Sequence, residues 1–273
     1  MKSFKYIISI ALLTIIASCT EVVDVDVPEV APRLVVEASI NWVKGTIGNE
    51  QLVKLSTSTP FFDGDSFQPA IGASVSIINN SDGMEFFFND QDNGDYTINN
   101  FFPILNQEYT LDIEYNGDMY TATETLVPVS EINNITQEEG DGFDEDETII
   151  EIFFDDPVDE INFYYASFQT PSRSLLSLDA TDDDFFNGNE ISLEYEEELN
   201  EGDIIDINLF GISEGYYNYL ELLLAQTDGD QGPFPTTPSE VKGNCVNLSN
   251  SDNYAFGFFR LSETSSTIYT VTN

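Results

Sequence analysis

The sequence predicts a mainly β protein made of two β-sandwich-like domains of the immunoglobulin/fibronectin kind, the second carrying one α-helix. Three observations predict it. Short stretches alternate apolar and polar residues, the period of half-buried strands. Turn signals separate them every ten or so residues, as in a sandwich. Only one stretch has helical spacing. The chain has 273 residues, 41% hydrophobic and 13% aromatic, enough to build packed cores.

The first domain is expected over residues 32–128. Arg33 to Trp42 is rich in strand formers, and Gln51 to Thr57 alternates in part. Ala73, Val75 and Ile77 fall on one face, with Ser74 and Ser76 on the other. Met84 to Phe88 and Tyr96 to Ile98 flank Asp92-Asn93-Gly94-Asp95, a turn suited to positive φ. Leu111, Ile113 and Tyr115 alternate up to Asn116-Gly117, and Met119 to Thr125 follows, which reads as a hairpin.

Residues 129–273 form the expected second, β-rich domain. Its border lies between Pro128 and Thr148, where Gln137 to Glu147 is a charged run with two glycines. Strands are expected at Thr148 to Phe154, Asn162 to Thr170, Ile191 to Tyr195 and Asp203 to Phe210. The helix is expected over 213–226. Ser213 is its N-cap, Glu214 complements the dipole, and Tyr216, Leu220, Leu223 and Leu224 share a face. Tyr254 to Phe259 and Thr267 to Val271 read as two closing strands.

The N-terminus is a targeting signal. Lys2 and Lys5 precede an apolar run from Tyr6 to Ile16, which is too short for a membrane-spanning helix. Ile16-Ala17-Ser18-Cys19 matches a bacterial lipobox. Residues 1–18 are therefore expected to be removed as a lipoprotein signal peptide, and the Cys19 thiol to carry a diacylglyceryl group. Acylation of the new amine would complete a stable two- or three-chain membrane anchor. Residues 19–31 read as an acidic tether. Its Glu21, Asp24 and Asp26 resemble the export signals of surface lipoproteins, so the expected location is the outer membrane, facing the cell exterior.

Charge and composition exclude several functions. Eight basic residues against 50 acidic ones give a net charge of −42, which opposes binding to nucleic acid or anionic lipid. The chain has no histidine, so Ser–His and Cys–His nucleophiles are ruled out. No G-x-S-x-G elbow, phosphate loop or dinucleotide fingerprint occurs. A non-enzymatic protein is expected. Glycoside hydrolysis by a carboxylate pair stays as an alternative, because only geometry distinguishes a working pair.

Asp141, Asp144 and Asp146 are candidate Ca²⁺ ligands, since hard oxygens suit that ion. They do not follow the spaced calcium-loop pattern, so solvated acidic loops and no cofactor are expected. Phe61 and Phe62, followed by Asp63-Gly64-Asp65, are candidate contact residues for a partner or ligand, as are Phe185 and Phe186 after three aspartates. Most other aromatics are expected to fill cores. Cys245, in acidic surroundings, reads as buried and inert.

Two segments carry a family resemblance. Pro32-Arg33-Leu34-Val35-Val36-Glu37 follows the tether. Gly243-Asn244-Cys245-Val246-Asn247 precedes Tyr254-Ala255-Phe256-Gly257-Phe258-Phe259. Together with the lipobox, they resemble an uncharacterised family of Bacteroidota surface lipoproteins. The resemblance implies an accessory protein encoded beside a TonB-dependent outer-membrane receptor, with Cys245 standing where an aliphatic residue is expected. The reading is thus an accessory or binding subunit of a TonB-dependent β-barrel receptor in nutrient uptake. A structural, adhesive or envelope-assembly subunit is the alternative from another class.

Overall fold

In a computed structural model of the chain, the described residues are 31–59, 67–140, 147–158, 160–171, 173, 176–227 and 240–272. Pro32–Asn273 form one compact unit. Its first half contains β1 (Leu34–Val43), β2 (Gln51–Thr57), β3 (Gln68–Pro69), β4 (Ser74–Asn79), β5 (Glu85–Asp90), β6 (Asp95–Ile98), β7 (Glu108–Tyr115) and β8 (Asp118–Val127). Then follow β9 (Ile132–Glu139), β10 (Thr148–Asp155), β11 (Phe163–Gln169), β12 (Ser177–Asp182), β13 (Glu190–Glu197) and β14 (Ile204–Ile212). Helix α1 (Glu214–Thr227), β15 (Val246–Asn247) and β16 (Phe256–Thr270) complete the chain.

The expectation of two sandwiches is corrected by the strand pairing. Strands β16, β1, β2, β6, β5, β4, β7 and β8 follow one another in a single sheet. The ring closes because Leu261 and Ser262 of β16 also pair with Leu126 and Val127 of β8. The result is a closed eight-stranded barrel, whose β16 comes from the far end of the chain. Every second residue of β1 points inward: Val36, Ala38 and Ile40 are fully buried. Tyr96 and Tyr109, followed by Phe101 and Phe259, are the bulkiest of the fully buried side chains in this core.

The same sheet continues past the barrel through β14, β11 and β12. A separate sheet, ordered β13-β10-β9, shares a core with this extension. Phe154, Tyr164, Phe168, Ile205 and Leu209 lie in that core. A sandwich is therefore present in the second half, but it shares β16 with the barrel. The part of β16 that joins them, Arg260 to Ser266, is too polar to read as a strand. It is nonetheless buried from Arg260 to Ser265, because it passes beneath both halves.

Local turn chemistry matches expectation. Asp92 and Gly94 have φ of 60° and 90°, and Asn116 and Gly117 have 53° and 87°, the left-handed values the two turns require. The start of the charged run at the expected border belongs to a strand. Gln137 lies in β9, where its side-chain oxygen accepts hydrogen bonds from Tyr269 Oη (3.1 Å) and the Thr272 amide (2.9 Å).

Helix α1 is capped by Ser213, whose Oγ accepts from the Tyr216 amide at 3.2 Å. Its apolar face covers the side of β11 and β14 opposite the sandwich core, with Leu220 packed on Tyr165, Phe210 and Ile212. Arg260 pins this contact. Its guanidinium lies 5.0–5.2 Å from the rings of Phe210, Tyr216 and Tyr165, and its Nη1 donates to Ser262 Oγ at 2.8 Å.

The two resemblance segments are a structural clasp. A Cβ on Gly243 would sit 1.4 Å from the Gly257 carbonyl oxygen, and one on Gly257 would sit 2.0 Å from that of Val36. Three backbones therefore stack where only glycine fits. Beside them, the Asn244 amide imitates a strand partner. Its Nδ2 donates to the Phe259 carbonyl at 2.8 Å, and its Oδ1 accepts from the Phe259 amide at 2.9 Å.

Candidate functional site

Two surface features outside the cores could meet another molecule. The first is an apolar tip at one end of the second half. The loop after β10 and the loop after β12 are laced together by backbone and side-chain bonds. Asp156 Oδ2 accepts from the Gly188 amide, and Asp183 Oδ2 from the Asn162 amide, both at 2.9 Å. Asn187 Nδ2 donates to the Glu160 carbonyl at 2.9 Å. Both aspartates are buried, and Asp156 is further fixed by the Tyr164 hydroxyl at 2.6 Å. Burial and that aspartate hold the Tyr164 phenol well above its ordinary pKa, so it stays a donor.

These fixed loops hold four apolar side chains in solvent. Phe185 is 90% exposed, Ile161 76%, Val158 68% and Phe186 44%. Asp155, Glu160, Asp184 and Glu190, all exposed, lie on the same two loops and their flanks. Such an arrangement can present an apolar knuckle with an acidic rim. Of the predicted contact residues, Phe185 and Phe186 lie here. Phe61 and Phe62, the candidate Ca²⁺ ligands Asp141, Asp144 and Asp146, and Cys19 lie outside the described residues.

The second feature, which sequence reading missed, is a cavity of about 720 Å³ on the outer wall of the barrel. Glu37, Ser39 and Asn41 reach it from β1, Lys54 from β2, with Glu50 and Asn99 at the adjoining strand ends. These β1 and β2 residues are the outward partners of the buried Val36, Ala38, Ile40, Val53 and Leu55. The signal was the polar half of that alternation, which looks like any solvated strand face.

Other groups have structural settings. Cys245 is buried in the barrel core, and burial pushes its thiol up to about 12, which leaves it without nucleophilic character at neutral pH. Glu124 lies beside the clasp, accepting from Asn244 Nδ2 at 3.2 Å. Burial raises its pKa, and bonds from Ser213 and Asn244 oppose the rise. Among the described residues, no group of three or more acidic or sulfur ligands is arranged for a metal ion. No described helix is long and apolar enough to cross a membrane.

Fold and surfaces together define a β-rich protein organised around a closed barrel, with an apolar tip and a polar groove on its exterior. The chain belongs to the family described as "Domain of unknown function (DUF4249)", whose model matches residues 20–268. No curated protein matches it. Among solved structures it is similar to a two-domain fibronectin type-III segment of chicken tenascin, with 12% identity and a TM-score of 0.25, covering 88% of this chain and 99% of that one. It is also similar to three fibronectin domains of chicken CNTN1, with 10% identity and a TM-score of 0.27, covering 67% and 62%. A cytokine receptor complex matches with 8% identity and a TM-score of 0.24, covering 64% and 82%.

Proposed function

We propose that the protein is a lipid-anchored accessory or binding subunit of a TonB-dependent β-barrel receptor, displayed on the outer membrane of a Bacteroidota cell and serving nutrient uptake without catalysis. The observation that carries this reading is the apolar tip. Four apolar side chains held in water by interlocked loops favour a protein contact. The lipobox at Cys19 and the acidic tether after it support anchorage at a membrane. Anchoring confines the body near other envelope proteins and raises its effective concentration toward them.

The test is affinity purification of the full-length lipidated protein from outer membranes, with partners identified by mass spectrometry. Wild type is expected to bring down a TonB-dependent receptor, and the double variant Phe185→Ser/Ile161→Ser to lose most of it. Losing two central apolar anchors, at about 2 kcal/mol each, would weaken binding by roughly a thousandfold. Recovery of a barrel-assembly or motility component in place of the receptor would instead support an envelope-assembly subunit.

A further inference from the structure

We infer that the barrel-wall groove binds a neutral, hydroxyl-rich ligand of mono- or disaccharide size. The inference deepens the proposed role in uptake by assigning a ligand class to a site away from the tip. Glu37, Ser39, Asn41, Glu50, Lys54 and Asn99 all line the cavity. Among the described residues, none of the six has a side-chain hydrogen bond or ion pair, although Glu37 and Lys54 are register partners on β1 and β2. The Asn41 Oδ1 is both buried and unpartnered. Asn162 Oδ1 is likewise buried and unpartnered, whereas the buried Asn79 and Asn247 each accept from a backbone amide two residues on. Glu37, Glu50, Lys54 and Asn99 are exposed to solvent and free to turn toward a ligand, whereas a buried polar atom such as the Asn41 Oδ1 is normally paired.

The chemistry of the wall selects the ligand. Strands β1, β2 and β6 each have a neighbour on both sides, so no strand edge is open for a peptide to extend the sheet. Recognition must pass through side chains. Amides and the lysine donate, while carboxylates and amide oxygens accept, so the wall offers both functions at close spacing. A sugar hydroxyl donates and accepts at once, and suits such a mixed wall. Two carboxylates against one ammonium leave the groove negative, which disfavours anionic ligands. Leu52, 38% exposed, gives the C–H face of a ring an apolar contact. The volume lies in the range of small-molecule sites.

The test is isothermal titration calorimetry on the full-length lipidated protein in a sugar-free detergent. The probes are cellobiose, maltose, xylobiose and lactose, with glucuronate as the anionic control. At least one neutral disaccharide is expected to bind at millimolar or lower concentration, and glucuronate not at all. Asn41→Leu/Asn99→Leu should weaken that binding about tenfold or more, by removing two amide partners. Lys54→Met, a fully surface change, should weaken it independently of any effect on folding. Absence of heat with all four disaccharides overturns the inference, as does binding that survives both variants or a preference for glucuronate. The titration needs no receptor, so its failure leaves the docking proposal standing, and loss of receptor co-purification leaves the groove standing.

Discussion

Replacing Asn244 with alanine removes one side chain and strands two main-chain groups. In β16, Phe259 pairs with Ala38 of β1, and its own amide and carbonyl are turned toward Asn244. Alanine leaves both without a partner in a region where Phe259 is fully buried. Each orphaned group costs about 1–3 kcal/mol, so the loss should be about 3–5 kcal/mol, a large part of a domain's stability. The change also removes a donor from Glu124. That carboxyl's folded pKa lies above its unfolded value, so its contribution is fully present below pH 4.5 and is lost as pH rises through the folded pKa. Asn244 donates to the carboxylate, so its removal should cost more at pH 7 than at pH 4. Urea unfolding followed by tryptophan and tyrosine fluorescence at both pH values measures this. A loss below about 0.5 kcal/mol, the range of neutral surface changes, would refute the clasp.

Gly257→Ala should destabilise by several kcal/mol or prevent folding, because its Cβ would overlap the Val36 carbonyl at a positive φ of 85°; a melting curve with little change would contradict the backbone stack. Glu194→Lys should stabilise by about 0.5 kcal/mol, because Glu194 faces Glu151 directly across β13 and β10. Burial and then Glu151 raise the Glu194 pKa, so the gain should be larger at pH 7 than at pH 4 in paired denaturation curves. The Cys245 thiol should resist a maleimide in the folded protein and react once urea unfolds it, as read by mass spectrometry. Phe185→Ser should leave the melting temperature within a degree or two of wild type, since a side chain already in water has little to lose on truncation.

Local features were legible in the sequence because their causes are local. The turns at Asn116-Gly117 and Asp92 to Asp95, the Ser213 cap and the strand at Gln51 to Thr57 all fall where residue chemistry places them. The helix's apolar face was visible at Tyr216, Leu220 and Leu224. Barrel closure was not legible. It depends on β16 pairing in parallel with β1, more than two hundred residues earlier, and on a polar middle that no apolar period marks. Strand β12 escaped notice because all six of its residues are half-buried, which gives no alternation. Of the site, Phe185 and Phe186 could be seen as paired aromatics after aspartates. Their union with Val158 and Ile161 required the bonds from Asp156 and Asp183 that lace the two loops. The groove arises from unpaired polar side chains, and pairing is a property of three dimensions.

The claim on which the account turns is that Cys19 carries the lipid holding this body at the membrane. Metabolic labelling with radioactive palmitate, read on the immunoprecipitated wild type and on Cys19→Ser, tests it most directly. The account predicts label on the wild-type protein and none on the variant. A wild-type protein that takes up no palmitate would contradict it.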